Sequence, residues 1–274
     1  MNRIDETFAR LRAAGRRAFI PFITAGDPDL ETTAALVREL DRRGASLIEL
    51  GIPYSDPIAD GATIQASYTR ALAAGVTIEQ IFRMVASIRE AVSAPILTMV
   101  SVSLVHRIGF AAYIDRAKRA GINGAIIPDL PVEEAAEPGR LAREADFPLV
   151  LLSTPTTPEA RRRLIAEHSR GFIYCVSVTG ITGARDALPA EVVDHVRTLK
   201  ALTETPVCVG FGISRPEQVR RLSDVADGVI VGSAIVRLIH AHAEAPREDV
   251  VRAVGAFVAS LADAAHASTS REDT

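Results

Sequence analysis

Eight short apolar runs, each followed by a longer amphipathic stretch, constrain this chain more than any other feature. They are AFIPFIT (18–24), SLIELGI (46–52), PILTMV (95–100), GAIIPDL (124–130), FPLVLLS (147–153), GFIYCVS (171–177), TPVCVGF (205–211) and DGVIVGS (227–233). They are rich in Val, Ile and Leu and show little polar alternation, the pattern of parallel strands buried on both faces. The stretches between them, such as LETTAALVRELDRRG (30–44) and TPEARRRLIAEH (157–168), are amphipathic at helical spacing. No linker rich in proline, glycine or serine interrupts the series. Eight βα units in 274 residues predict an α/β fold, a (β/α)8 TIM barrel, with an extra N-terminal helix within residues 2–14 capping its floor. A single domain is expected over 1–265, with a flexible polar tail over 266–274. A doubly wound open sheet is the competing architecture. It calls for a glycine-rich fingerprint after the first strand, and GDPD (26–29) is not one.

Helix punctuation agrees with the alternation. Asp29 or Pro28 opens the helix after the first strand, Ser214 with Glu217 has capping-box spacing, and Pro216 suits a first helical turn. Gly15, Gly44 and Gly121 stand where helices should stop. Composition then narrows function by exclusion. With 48% hydrophobic residues the chain can bury a sizeable core. A formal charge of −3 offers no electrostatic reason for a nucleic-acid or anionic-membrane partner. No apolar run approaches the roughly 20 residues that span a bilayer. The N-terminus MNRIDETFARLRAAGRR is amphipathic and lacks the apolar centre of a signal peptide, so a cytoplasmic location is expected. Cys175 and Cys208 sit in separate strand runs and read as free buried thiols.

In such barrels the site forms at the C-terminal ends of the strands. The second run ends in Glu49, followed by a loop holding Asp56 and Asp60. A carboxylate within a buried strand is costly unless it is paired or kept neutral, and an ion pair with a rim arginine is the structural alternative for Glu49. Asx-turns are the alternative for the two aspartates. An acid on a rigid strand and another on a loop can flank one substrate in different protonation states, as acid/base catalysis requires. The sixth run leads into SVTGITGARDALP (177–189), whose glycines and small hydroxyl residues suit a loop that closes over a ligand. GFGIS (210–214) and VGSAI (231–235) place glycine and serine at helix starts, where free N–H groups and the helix dipole favour an anion. Those two loops are the frequent phosphate site of barrels. Lysine occurs only at Lys118 and Lys200, both in helical stretches, so no strand end offers an amine for a Schiff base. At most His106 lies near a strand's C-terminal end, so a zinc cluster is not expected. His240 and His242 read as solvated helix positions. The residues point to acid/base cleavage or isomerisation of a phosphorylated substrate, without metal or covalent intermediate.

The stretches PFITAGDPD (21–29), IELGIPYSDPIADGATIQ (48–65), IIPDLPVEEA (126–135), GITGAR (180–185), GFGIS (210–214) and GSAIV (232–236), in this order and spacing, resemble the tryptophan synthase α subunit family. The resemblance covers nearly the whole chain and ELGIPYSDPIADG is its most specific part. It implies retro-aldol cleavage of indole-3-glycerol phosphate into indole and glyceraldehyde 3-phosphate, with no cofactor in this chain. It implies that Glu49 is the main acid/base group, protonating the indole at C3 and assisting deprotonation of the glycerol hydroxyl. Asp60 would hold the indole N–H and stabilise the charge developing on the ring. Thr182 and Gly183 would lie on the closing loop, with Thr182 meeting Asp60. Gly183, Gly210, Gly212, Ile213, Gly232 and Ser233 fall on the phosphate side, and Phe22, Tyr174 and Phe211 line the pocket. The resemblance also implies a β subunit that uses pyridoxal phosphate, joined in an α2β2 heterotetramer. Pro53, Asp56, Asp129 and Pro131 fall at that contact, a turn-forming role being the alternative for Asp129. One departure is visible: Ser101 and Ser103 stand where the family commonly carries a Tyr-x-Asn pattern. That loop borders both the pocket and the β contact. A stand-alone lyase and a catalytically weak allosteric partner are the competing functional readings.

Overall fold

Hydrogen bonding joins β1 (Ala18–Thr24), β2 (Ile48–Gly51), β3 (Ile96–Met99), β4 (Gly124–Ile126), β5 (Leu149–Ser153), β6 (Ile173–Val176), β7 (Val207–Gly210) and β8 (Gly228–Val231) into a closed barrel in sequence order. This is a computed structural model, and it describes residues 1–57, 60–176, 189–210 and 212–267. Every neighbouring pair is parallel, and β1 closes onto β8 from Ala18↔Gly228 to Pro21↔Val231, which rules out the open sheet. The strands occupy the apolar runs, trimmed by a residue or more at the ends in all but the first.

The helices are α1 (Arg3–Ala13), α2 (Leu30–Arg42), α3 (Ala62–Ala73), α4 (Ile78–Ile88), α5 (Val102–Ile108), α6 (Phe110–Arg119), α7 (Ala136–Glu144), α8 (Glu159–His168), α9 (Ala190–Leu202), α10 (Pro216–Ser223), α11 (Ser233–Ala241) and α12 (Arg247–His266). The two-residue period of a strand divides the core between two faces. Phe19, Ile23, Ile48, Leu50, Val209 and Val229 point outward against the helices. Ile20, Phe22, Leu47, Leu97, Val150, Phe172 and Ile230 fill the lumen. Both faces are apolar, which is why the runs show no alternation. The N-terminal helix does close the floor: Ile4, Phe8 and Leu11 of α1 join the lumen cluster, and the Phe8 ring lies 5.9 Å from that of Phe172. Burying three such side chains contributes roughly 5–9 kcal/mol.

Local punctuation follows the sequence with one shift. The Asp29 side chain caps α2, accepting from the Thr32 N–H at 2.7 Å. Gly15, Gly44 and Gly121 follow helices at φ of +65°, +91° and +84°, the left-handed region a side chain disfavours. The capping box expected from Ser214 and Glu217 is displaced by one residue. Pro216 fixes the first helical position, so Gln218, not Glu217, is third. Its Oε1 accepts from the N–H of Ser214 at 2.9 Å and of Arg215 at 3.1 Å. Cys175 and Cys208 are free and buried. Among the described residues no single helix is long and apolar enough to cross a membrane.

Candidate active site

Strand periodicity decides where Glu49 points. Leu47 faces the lumen, Ile48 and Leu50 face the helices, and Glu49 turns inward between Phe22 on β1 and Leu97 on β3. It is 0% exposed. Neither carboxylate oxygen has a hydrogen-bond partner among the described residues, and no arginine pairs with it there. Among the described residues, then, the rim ion pair that is the structural alternative is not formed. Burial, reinforced by the charge of Asp60, holds its pKa well above the ordinary carboxylate range. That shift favours the protonated carboxylic acid, the form with a proton to give.

Asp60 reaches the same cavity from the loop after β2, one residue before the N-cap of α3, Gly61. Its Oδ2 accepts from the Tyr54 hydroxyl at 3.2 Å. Gln65 Nε2 ties down its backbone carbonyl at 2.7 Å. Burial raises its pKa, the Tyr54 hydrogen bond opposes that, and the charge of Asp129 adds to the rise, leaving it at about 6. Burial thus favours the protonated form of Glu49, while Asp60, at about 6, is mostly ionised at pH 7.

The described residues enclose a cavity of about 240 Å³ at the barrel mouth. Phe22, Ile64, Met99, Leu152, Tyr174 and Ile230 give it apolar walls, Glu49 and Asp60 supply the acids, and Gly212, Gly232, Ser233 and Arg237 complete it. The α11 N-terminus opens there at Gly232 with no side-chain cap, so its first N–H groups remain available to an anion. Two glycines make room for the aromatic rings. A Cβ on Gly51 would sit 2.5 Å from the Phe22 ring, and one on Gly210 would sit 2.6 Å from the Tyr174 hydroxyl. A larger hollow, about 550 Å³, lies outside the barrel between α6 and α7, lined by Asp115, Lys118, Arg119 and Glu144 among others. It has no buried acid and is not the better candidate.

The predicted site residues separate into groups. Phe22, Glu49, Asp60, Tyr174, Gly212, Gly232 and Ser233 share the cavity wall. Gly210 lies under Tyr174 instead, and Ile213 turns its side chain into the outer core. Thr182, Gly183 and Phe211 lie outside the described residues, as do the rest of 177–188 and the tail from 268. Asp56 and Pro131 are exposed, whereas Pro53 is covered by its own chain. Asp129 sits in the turn that follows β4, where the Leu130 N–H donates to the Ile127 carbonyl at 3.2 Å. It ties the loop after β4 to the start of α5, accepting from Ser101 Oγ at 2.9 Å and from the Val102 N–H at 2.8 Å.

Sequence reasoning missed several residues. Arg237 follows Ser233 by one helical turn, so α11 periodicity was the signal that could have placed it at the cavity. Tyr54 and Tyr68 pack against one another beside Asp60, their ring centroids 5.3 Å apart. His195, in a helical stretch, is buried and shares a 3.0 Å hydrogen bond with Ser153 at the end of β5. Burial depresses its pKa to about 4.

With this geometry in place, comparison with known proteins is direct. A family model described as tryptophan synthase alpha chain matches residues 8–266. The tryptophan synthase alpha chain of Rhodopirellula baltica is 50% identical over 242 residues, 87% of this chain and 87% of that one. That of Caldanaerobacter subterraneus is 45% identical over 261 residues, 95% of this chain and 98% of its own. The crystal structure of tryptophan synthase subunit alpha from Legionella pneumophila superposes with a TM-score of 0.88 at 36% identity, covering 96% of this chain and 98% of that one.

Proposed function

The chain belongs to the tryptophan synthase alpha chain family, whose reaction is the retro-aldol cleavage of indole-3-glycerol phosphate, and on that premise we propose that Glu49 and Asp60 carry the cleavage out at the barrel mouth. Glu49, held neutral, gives its proton to C3 of the indole. The ring becomes cationic, and ionised Asp60 accepts the ring N–H and stabilises that charge. Glu49, now a carboxylate, takes the proton of the hydroxyl on the carbon attached to C3. The carbon–carbon bond breaks, its electron pair returns to the ring, and the oxygen becomes the aldehyde of glyceraldehyde 3-phosphate. Glu49 ends protonated and ready for another turnover, so the proton balance closes with nothing added.

Binding divides the cavity between the two ends of the substrate. Phe22 and Tyr174 flank the flat ring, with Phe211 assigned to the same wall by family correspondence. The phosphate is assigned to the α11 N-terminus and to the backbone of Gly212, Gly232 and Ser233, with Gly183, Gly210 and Ile213 supporting the same side. Thr182 is assigned to the closing loop against Asp60. The observation that carries this reading is a fully buried carboxyl group in the cavity wall that no described residue partners. An apolar residue there would stabilise the barrel, so function explains its presence.

The alpha chain name carries a β partner with it. We assign pyridoxal phosphate to that partner and an α2β2 assembly to the pair, placed in the cytoplasm, with exposed Asp56 and Pro131 at the contact. Pro53 shapes that rim from beneath, and Asp129 fixes the neighbouring loop. The test is indole release from indole-3-glycerol phosphate by the purified chain, alone and with a β subunit. Release that the β subunit accelerates is expected. Equal rates without association would indicate a stand-alone lyase, and no release in either case would leave only an allosteric role.

A further inference from the structure

Asp60 is one of two acids at the cavity, yet only one side chain among the described residues donates to its carboxylate: Tyr54, six positions earlier in the same loop. Packing alone does not require that hydroxyl. The Tyr54 ring is partly buried against the lumen cluster and tilted at 52° on the Tyr68 ring, contacts a phenylalanine would also make. Tyr68 is fully buried on α3, and its hydroxyl has no partner among the described residues. It lies where a Cβ on Gly51 would come within 2.9 Å. Tyr68 is thus a fixed platform, and the Tyr54 ring resting on it aims its hydroxyl at Asp60 Oδ2.

We propose that Tyr54 is a positioning residue for Asp60, holding one carboxylate oxygen so that the other is presented to the ring N–H of the substrate. This deepens the functional reading above and rests on Asp60 being the group that meets the ring nitrogen. A hydroxyl that donates to the ionised form also favours that form. The other acids and phenols around Asp60 act in the opposite direction or favour their protonated forms, and Arg237 on α11 shares the cavity wall without shifting it. Asp129 in the loop after β4 repels its charge. Burial favours the protonated form of Glu49 on β2 and keeps the phenols of Tyr68 on α3 and Tyr174 on β6 protonated. Tyr54 is therefore the described side chain that keeps Asp60 ionised near neutrality.

The test follows the Asp60 carboxyl by 13C NMR titration in the unliganded parent and in Tyr54→Phe, beside the pH dependence of kcat. Removal of the hydroxyl is expected to raise the Asp60 titration by about one unit. The acid limb of kcat should rise with it, so that activity falls severalfold at pH 6 and recovers towards the parent at pH 8. Tyr68→Phe keeps the platform and should leave the Asp60 titration in place. An unmoved titration in Tyr54→Phe, or an equal loss of kcat at every pH, would overturn the proposal. If the parent itself releases no indole, the functional reading fails, while the NMR titration still decides what Tyr54 does to Asp60.

Discussion

Glu39 and Glu49 are ten residues apart, both glutamates, and both nearly inaccessible to solvent, yet the barrel's outer layer and its lumen treat them in opposite ways. Glu39, on α2, is 3% exposed and bonded to two arginines: Arg43 Nε donates to Oε1 at 2.7 Å and Arg42 to the other oxygen. Gly255 on α12 leaves room for the carboxylate; a Cβ there would press into it. Asp27 repeats the arrangement, receiving two hydrogen bonds from Arg70 at 2.9 and 2.6 Å. Glu49 has nothing of the kind among the described residues. In the outer layer the chain supplies the countercharge, and the acid is chemically inert. In the lumen no described residue supplies one, and burial favours the protonated acid.

Exchanging the roles of the two regions tests that contrast. The largest effect is expected from Glu49→Gln, which keeps the shape and removes the exchangeable carboxyl proton. Indole release should fall by about 10³-fold with the fold intact, in the usual range for losing a general acid/base. A fall of less than tenfold would make Glu49 a bystander. Asp27→Asn should do the reverse, leaving kcat nearly unchanged while lowering unfolding stability by about 2 kcal/mol. The loss is smaller than for a fully buried pair because Arg70 is a third exposed. Unchanged stability in urea would show that the outer-layer pairs compensate nothing.

A smaller effect sharpens the comparison through pH. The raised pKa of Glu49 in the folded state means that its contribution to stability is fully present below the ordinary carboxylate pKa. That contribution is lost as pH rises towards the folded value, because the unfolded chain ionises more readily. Glu49→Gln carries no such penalty. Its melting temperature relative to the parent should therefore increase as pH rises above the ordinary carboxylate pKa, by a few degrees in all, and level off once the folded Glu49 ionises. A constant difference would mean that Glu49 titrates alike in both states.

Much of the fold was legible because its signals are local. Strand apolarity, the Asp29 cap and the glycines after helices each depend on a few adjacent residues. Strand parity then carried Glu49 inward without further information. What was not legible arises across the chain. Ser153 and His195 meet through a hydrogen bond spanning 42 positions; the helical spacing of Val192, His195, Val196 and Leu199 marks the histidine's face as buried but does not name its partner. The turn at Asp129 was open to a local reading, whereas its tie to Ser101 joins two loops and was not. Tyr54 reads as loop punctuation until α3 brings Tyr68 beneath it. The capping box slipped by one because Pro216, not the serine, sets the helix origin.

The protonation state of Glu49 at neutral pH is the point on which the account turns, and infrared spectroscopy reads it directly. The difference spectrum between parent and Glu49→Gln at pH 7 should contain the carbonyl stretch of a protonated carboxylic acid, fading only as pH is raised well above neutrality. Bands of an ionised carboxylate at pH 7 would show that Glu49 has no proton to give, and would contradict the mechanism.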